Sequence, residues 1–198
     1  MEGGRISEMN VARFLEEIIP IKDKELKEKL EHVCRVDVFE RGEHINEVGE
    51  RDYYVRFIIH GLVRSYIIDS RGKEITTAYG RIPGEPISGT RLLDGSVSDI
   101  AFQAMARTEV FSIPVEAVMG LKMQYQEISD IYINVLTYCL AEHWDLRKMQ
   151  YMHSARERYE WFLKKYPGLI DIVSHAQIAS LLDITPVTLS RVRHSEEK

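Results

Sequence analysis

The chain has 198 residues, of which 44% are hydrophobic and 29% are charged, and its formal net charge at pH 7 is −5. These values are ordinary for a globular protein that buries a substantial core. The two cysteines, Cys34 and Cys139, lie far apart, which excludes a framework of several disulfides and indicates a reducing compartment. No apolar run approaches about 20 residues and no signal-peptide pattern opens the chain, so we expect a cytoplasmic protein with no membrane partner.

Helices and then strands are predicted for the first half of the chain. Apolar residues at helical spacing predict a helix from Asn10 to Ile19 and a second helix from Asp23 to His32. From Val33 onward the apolar residues alternate, and glycine turns such as Arg41-Gly42-Glu43 recur about every ten residues. Val48 and Ile68 are among the residues that mark these short strands. Many short strands with glycine turns predict a barrel or jelly roll.

Two helices are predicted after the last strand. The first covers Val115 to Lys122, and a much longer one runs from about Glu127 to Met152. The apolar residues of the long helix are partly heptad-like, which is typical of a dimer seam but also of a helix that packs on its own domain. The seam is favoured, and its residues would be Ile128, Ile131, Val135 and Tyr138.

The C-terminal segment contains two short helices joined by a tight turn. Ser154-Ala-Arg-Glu157 is a capping box that begins a preceding helix. Ser174 is a suitable N-cap for the first short helix, on which Ile178 and Leu181 face the core. Thr185-Pro186 begins the second helix, since proline at the first helical position loses an N–H that has no partner. The pattern indicates a helix-turn-helix, whose second helix fits a DNA major groove.

Several stretches resemble the Crp/Fnr family of transcription regulators. Ile178-Ala-Ser-Leu-Leu-Asp-Ile-Thr-Pro-Val-Thr-Leu-Ser-Arg-Val-Arg193 resembles the family's recognition unit, and Ser154-Ala-Arg-Glu-Arg-Tyr159 is similar to the start of its DNA-binding domain. Upstream, the order of turns from Phe39-Glu-Arg-Gly-Glu-His-Ile45 through Pro83-Gly-Glu85 resembles the family's cyclic-nucleotide-binding β-roll. The resemblance covers nearly the whole chain. It implies a homodimeric, sequence-specific DNA-binding regulator that is not an enzyme.

The expected fold class is α+β. An N-terminal antiparallel β-roll of the jelly-roll, cyclic-nucleotide-binding-like type, with flanking helices, would cover residues 1–125. A central dimerisation helix would cover 126–152, and a helix-turn-helix domain would cover 153–198. That last part is close to neutral, because from Met152 onward the chain holds seven basic and six acidic residues. A few well-placed cations would therefore contact the DNA phosphates.

The resemblance assigns the expected contacts with double-stranded DNA. Base contacts fall on the first two turns of the second helix, at Pro186, Val187, Ser190 and Arg191. Arg191 is the best candidate for a bidentate bond to guanine, with a phosphate contact as the alternative. The other expected positions contact phosphates or lie at the helix start, and they are Ser174, His175, Thr185, Thr188 and Arg193.

The effector pocket departs from the family pattern. Relatives that bind cyclic nucleotides use a Gly-Glu pair and an Arg-Ser/Thr pair, and the resemblance places these pairs at Gly84-Glu85 and Ser98-Asp99. Serine and aspartate cannot neutralise a buried phosphate as arginine does, so we expect an effector other than cyclic AMP, or none. Arg91 could substitute for the missing arginine. Tyr79 and Ser88 would add polar groups to the pocket.

Other functions and partners fit parts of the sequence. A metal-dependent cupin enzyme is hinted at by His44 and Glu47, but His60 is isolated from them by strand spacing. A sensor whose DNA-binding domain has decayed is a further alternative. No cofactor is expected, because two separated cysteines cannot hold an iron–sulfur cluster and a helical histidine such as His143 is more often a packing residue than a haem ligand. RNA polymerase is a further candidate partner.

Overall fold

The computed structural model describes residues 9–87 and 96–194, in which two antiparallel sheets are flanked by helices. The predicted Ser88 and Arg91 lie outside these ranges. The helices are α1 (Val11–Glu17), α2 (Lys24–Val33), α3 (Val115–Lys122), α4 (Gln126–Met152), α5 (Ala155–Lys165), α6 (His175–Leu181) and α7 (Pro186–His194). The strands are β1 (Arg35–Phe39), β2 (His44–Asn46), β3 (Tyr54–His60), β4 (Val63–Ile68), β5 (Glu74–Gly80), β6 (Pro86–Ile87), β7 (Ala101–Ala104) and β8 (Thr108–Pro114).

The strands form a jelly roll. The first sheet has the order β1-β8-β3-β6, the second has the order β2-β7-β4-β5, and the paired strands are antiparallel. Strands that follow one another in the chain mostly lie in different sheets. The inner faces enclose one apolar layer, formed by Ile45, Ile58, Val63, Ile87, Phe102 and Val110. The α+β class predicted from the sequence is confirmed.

Helices cover the outer face of the first sheet. Phe14 of α1 stacks on Phe111 of β8 with ring centroids 4.2 Å apart, and it also contacts Phe57 of β3. Leu26 and Leu30 of α2 are buried in the same cluster. At roughly 25 cal/mol per Å² of apolar surface, each fully buried side chain of this kind stabilises the fold by about 1.5–3 kcal/mol.

The C-terminal helices cover the outer face of the second sheet. Leu62 and Tyr79 of the roll share a hydrophobic cluster with Phe162 of α5 and Ile178 of α6. Helix α6 lies beside the edge strand β5, where the Thr76 N–H donates to the Ser180 hydroxyl at 2.8 Å. This contact supplies a partner for an edge-strand donor that would otherwise be open.

The predicted helices agree closely with those in the structure, whereas the strand assignment of Val48 is wrong. Helix α4 begins one residue before its predicted start, and Met152 ends it as expected. Val48, predicted to mark a strand, lies in a turn that leads to Gly49, whose φ is +88°. The alternating pattern cannot distinguish an apolar residue in a strand from one beside it in a tight turn.

A glycine fixes the turn between β3 and β4, which carries the chain from the first sheet to the second. Gly61 has φ +117°, and a Cβ there would lie 2.5 Å from Thr108 Oγ1 and 2.6 Å from Thr108 Cα. The Thr108 hydroxyl in turn accepts from the Leu62 N–H at 3.3 Å. The close approach of β8 therefore requires a residue without a side chain at this position.

We expect Gly61→Ala to lower the free energy of unfolding by about 3 kcal/mol, because it adds a backbone clash to an unfavourable φ. Gly72→Ala is the matched control, since Gly72 has φ +78° but nothing within 4 Å of the position that a Cβ would take. The control should cost only about 1 kcal/mol. Urea unfolding followed by circular dichroism measures both. Equal losses for the two variants would contradict the close-approach argument.

Candidate nucleic-acid interface and effector pocket

Helix α5 begins with the capping box predicted from the sequence. The Ser154 hydroxyl accepts from the Glu157 N–H at 3.4 Å, and the Glu157 carboxylate accepts from the Ser154 N–H at 2.7 Å. This backbone hydrogen bond lowers the pKa of Glu157. Tyr159 and Phe162 then point into the cluster shared with the second sheet. The box therefore places α5 at a fixed position after the break that ends α4.

The turn between α6 and α7 is defined by local hydrogen bonds. Ser174 caps α6 and forms a second capping box with Gln177. Asp183 occupies the left-handed region with φ 52°, which aspartate tolerates better than most residues. Thr185 Oγ1 accepts from the Thr188 N–H at 3.0 Å at the start of α7. Helices α6 and α7 are thus held as one helix-turn-helix unit.

Arg158 of α5 connects this turn to the end of α4. Its Nη1 donates to the carbonyls of Leu182 and Asp183 at 3.0 and 3.1 Å. Its Nε donates to the His153 carbonyl at 2.9 Å, and its Nη2 donates to the Gln150 carbonyl. The side chain is only 17% exposed. The sequence interpretation gave Arg158 no role, because its four acceptors are backbone carbonyls that carry no residue-type signal.

The outer face of α7 presents the residues expected to contact bases. Pro186, Val187, Ser190 and Arg191 are all exposed, while Leu189 faces the core. Within the described part of the chain, the Arg191 guanidinium has no hydrogen-bond or ion-pair partner. A short helix that presents an exposed hydroxyl and an exposed guanidinium has the chemistry that major-groove readout uses.

The residues expected to contact phosphates are partly engaged with each other. The Arg193 guanidinium contacts the His175 ring, which brings the end of α7 to the start of α6. The Thr185 and Thr188 hydroxyls lie 2.8 Å apart. The first pair lies at the start of α6 and the second at the start of α7, so the exposed surface of the helix-turn-helix carries cationic groups at one helix N-terminus and hydroxyl groups at the other.

The described residues expected to form the effector pocket have separate partners. Tyr79 is 5% exposed and packs against Tyr166 of the C-terminal segment, with ring centroids 5.7 Å apart. Its side chain therefore lies on the outer side of the second sheet, under the C-terminal helices. Ser98 donates to the Ile100 carbonyl at 2.7 Å, and Asp99 is exposed. No described contact joins Ser98 or Asp99 to Tyr79 or to the Gly84-Glu85 pair.

Glu85 closes a turn and contacts the long helix. Its Oε2 accepts from the backbone N–H groups of Arg81 and Ile82 at 2.7 and 2.9 Å. Its Oε1 accepts from the Tyr138 hydroxyl of α4 at 2.9 Å. Gly84 has φ +89°, and a Cβ there would lie 3.0 Å from the Ile18 side chain. In the described residues this pair therefore fixes the turn between β5 and β6.

Helix α4 has two apolar faces. Of the residues expected at a dimer seam, Ile128 is 7% exposed and packs with Val135 in the core beside the first sheet. Tyr138 is bonded to Glu85, and Ile131 is half-buried on the same side. Ile128 and Val135 therefore pack on their own chain, where this helix face meets the outer surface of the roll, whereas Tyr138 is 40% exposed. About half a turn away lies an exposed stripe, formed by Ile133, Leu136, Leu140, Trp144 and Tyr151.

The described residues offer no obvious metal site. No group of three or more His, Cys, Asp or Glu side chains in them is placed to hold a metal ion. His44 bonds to the Tyr66 hydroxyl at 2.9 Å and belongs to the second sheet, whereas His60 ends a strand of the first. None of the helices in the described ranges is both long and apolar enough to cross a membrane.

The sequence matches no protein-family model and no curated protein, but solved structures share the fold. FixK2 from Bradyrhizobium japonicum has a TM-score of 0.71 at 20% identity, over 83% of this chain and 85% of FixK2. The c-di-GMP-responsive global regulator CLP from Xanthomonas campestris has 0.72 at 14% identity, over 88% and 92%. A protein from Eubacterium rectale that is assigned to the Crp/Fnr family has 0.70 at 15% identity, over 88% and 83%.

These comparisons define the class of fold. The chain has the β-roll, long helix and helix-turn-helix arrangement of Crp/Fnr regulators, so the resemblance found in the sequence is confirmed for the fold. CLP is described as a global regulator, and the Eubacterium rectale protein is assigned to a family of regulators. At these identities the likeness establishes architecture, and the function is argued from the chain's own residues.

We expect Arg158→Ala to lower the free energy of unfolding by about 2–4 kcal/mol, because it leaves four carbonyls without their charged donor. Arg156→Ala on the same helix is the control. Arg156 forms an exposed pair with Glu160, and its loss should cost at most about 0.5 kcal/mol. Urea unfolding of the purified variants measures the difference. Equal stability of the two would show that Arg158 does not hold the α4–α5–turn junction.

Proposed function

We propose that this chain is a sequence-specific DNA-binding transcription regulator that acts as a homodimer in the cytoplasm. The observation that carries the proposal is the exposed face of α7, on which Arg191 has no partner among the described residues while Leu189 anchors the helix below it. The fold similarity to Crp/Fnr regulators supports the same conclusion. Its effector would be a small molecule other than cyclic AMP, or it would act without one, and RNA polymerase stays a predicted partner.

The helix-turn-helix has the rigidity that groove recognition requires. Two capping boxes, at Ser154 and Ser174, fix the starts of α5 and α6. Arg158 joins the turn to the end of α4 through backbone carbonyls. A recognition helix held in this way loses little conformational entropy on binding, so more of its contact energy is available for affinity.

The dimer is proposed to form through the exposed stripe on α4. Leu140 is 68% exposed and Trp144 is 61% exposed, and both lie opposite the face that packs on the roll. Ile133, Leu136, Leu140 and Trp144 follow one another at intervals of three, four and four residues. Apolar residues at such intervals form one face along which two helices can pack side by side. Because α4 leads directly into α5, pairing of two α4 helices through this stripe about a two-fold axis would fix the distance and the orientation between the two α7 helices. Half-sites about 34 Å apart would then be read together.

We expect Arg191→Ala to weaken binding to a selected operator about tenfold to a hundredfold, and to relax selectivity at one base pair, as loss of a bidentate guanine contact does. The operator would come from selection on random duplexes with the full chain, and titration by fluorescence anisotropy measures affinity. Arg51→Ala, an exposed arginine before β3, is the matched control and should bind normally.

The same titration tests whether Arg193 contacts a phosphate and not a base. Arg193→Ala should weaken selected and unrelated duplexes alike, and it should reduce the slope of log affinity against log salt by about one. If the wild-type chain selects no sequence at any salt concentration, the proposed function is wrong. If Arg191→Ala binds as well as wild type, α7 does not read the bases.

We expect Leu140→Glu to convert the dimer to a monomer, because two carboxylates would meet at the centre of an apolar seam. Sedimentation velocity measures the mass. Ile68→Glu is the control, since Ile68 is an exposed apolar residue on β4 with 48% of its surface accessible. Circular dichroism should show both variants folded. A dimer that persists in Leu140→Glu would place the interface elsewhere.

A further inference from the structure

A cleft lies between the roll and the inner face of α4, outside the apolar layer of the jelly roll. Its volume is about 520 Å³, which lies within the range of pockets that enclose small organic ligands. The end of α1, the β5–β6 turn and α4 form its walls. The residues that the argument uses are Ile18, Phe57, Ile82, Ile131, Val135 and Tyr138.

The cleft is mostly apolar, and part of that surface is open to solvent. Ile82 is 60% exposed at its rim. Ile131 and Val135 are only half-buried on the α4 side. An apolar wall left partly exposed beside a concave volume gains free energy when a ligand covers it, at about 25 cal/mol per Å².

One polar pair marks the cleft. The Tyr138 hydroxyl donates to Glu85 Oε1 at 2.9 Å, so this carboxylate already accepts from a side chain and from two backbone N–H groups. Burial and the neighbouring Glu85 carboxylate raise the pKa of Tyr138. A carboxylate oxygen can accept more than one hydrogen bond. The pair therefore offers a further acceptor to a ligand, and its negative charge disfavours an anion.

We infer that this cleft binds a small apolar molecule that carries a single hydrogen-bond donor, such as an alcohol or an amine, and rejects the carboxylate of the same size. The apolar walls would hold the body of the molecule, and Glu85 would accept from its donor. The dimer stripe lies on the opposite face of α4, so a second copy that packs there would leave the cleft open. Binding does not depend on the proposed function, whereas a role as effector rests on it.

Three matched probes test the chemistry: benzyl alcohol, benzylamine and benzoate. They share a ring and differ in the polar group. With the full chain labelled at isoleucine methyl groups, titration by NMR should shift the signals of Ile18, Ile82 and Ile131 for the alcohol and the amine. Benzoate should bind at least tenfold more weakly. Failure of all three probes to shift these signals, or tightest binding by benzoate, would overturn the inference.

Variants locate the site. Asn134→Trp places an indole at the mouth of the cleft from an exposed position on α4 and should weaken benzyl alcohol binding at least tenfold. Lys24→Trp, at an exposed position on α2, should leave it unchanged. Glu85→Gln keeps the size of the side chain and should bring benzoate within about threefold of the alcohol.

Two outcomes of the variant series would count against the inference. Unchanged binding in Asn134→Trp would place the ligand elsewhere, and continued rejection of benzoate by Glu85→Gln would remove Glu85 from the assignment. None of these measurements uses DNA binding. If the proposed function were wrong, their results would therefore not change, and the two failures can be told apart.

Discussion

The packing of the C-terminal helices on the second sheet is the contact on which the rest of the structure depends. Tyr79 and Leu62 of the roll lie in one hydrophobic cluster with Phe162 and Ile178 of the helices. The C-terminal helices supply most of the cluster themselves, and the two roll residues join this small core to the second sheet. Short helices are marginal on their own, so α5, α6 and α7 depend on this packing. The roll therefore acts as the support on which the candidate DNA-reading surface is assembled.

Hydrogen bonds then fix how the C-terminal helices are oriented relative to α4 and the roll. Arg158 draws the end of α4 and the α6–α7 turn toward one guanidinium. Arg81, in the turn that Glu85 closes, donates to the Pro167 carbonyl at 2.9 Å. The apolar cluster supplies most of the stabilisation, whereas these charged donors select one orientation, because hydrogen bonds from charged groups are stronger than those between neutral groups.

The parts of the fold that depend on neighbouring residues could be predicted from the sequence. The parts that depend on contacts between distant residues could not. Ser154, Ser174 and Pro186 were recognisable because a cap or a first-turn proline depends only on neighbours within a few residues. The face of α4 that meets the roll was misassigned at Ile128, since both faces are apolar and the sequence alone cannot say which one its own sheet covers. The packing of Tyr79 on Tyr166 and the role of Arg158 were not predicted, for a different reason. Their partners are more than twenty residues away or are backbone atoms.

Helix α4 is held on one side by the roll and offers an apolar stripe on the other. Its 27 residues span about 40 Å at 1.5 Å per residue. If α4 tilted about the Glu85–Tyr138 bond, the displacement of the helix would therefore increase with distance from Tyr138 and be larger at His153. A change of a few degrees near the roll would displace the far end of the helix by an ångström or more.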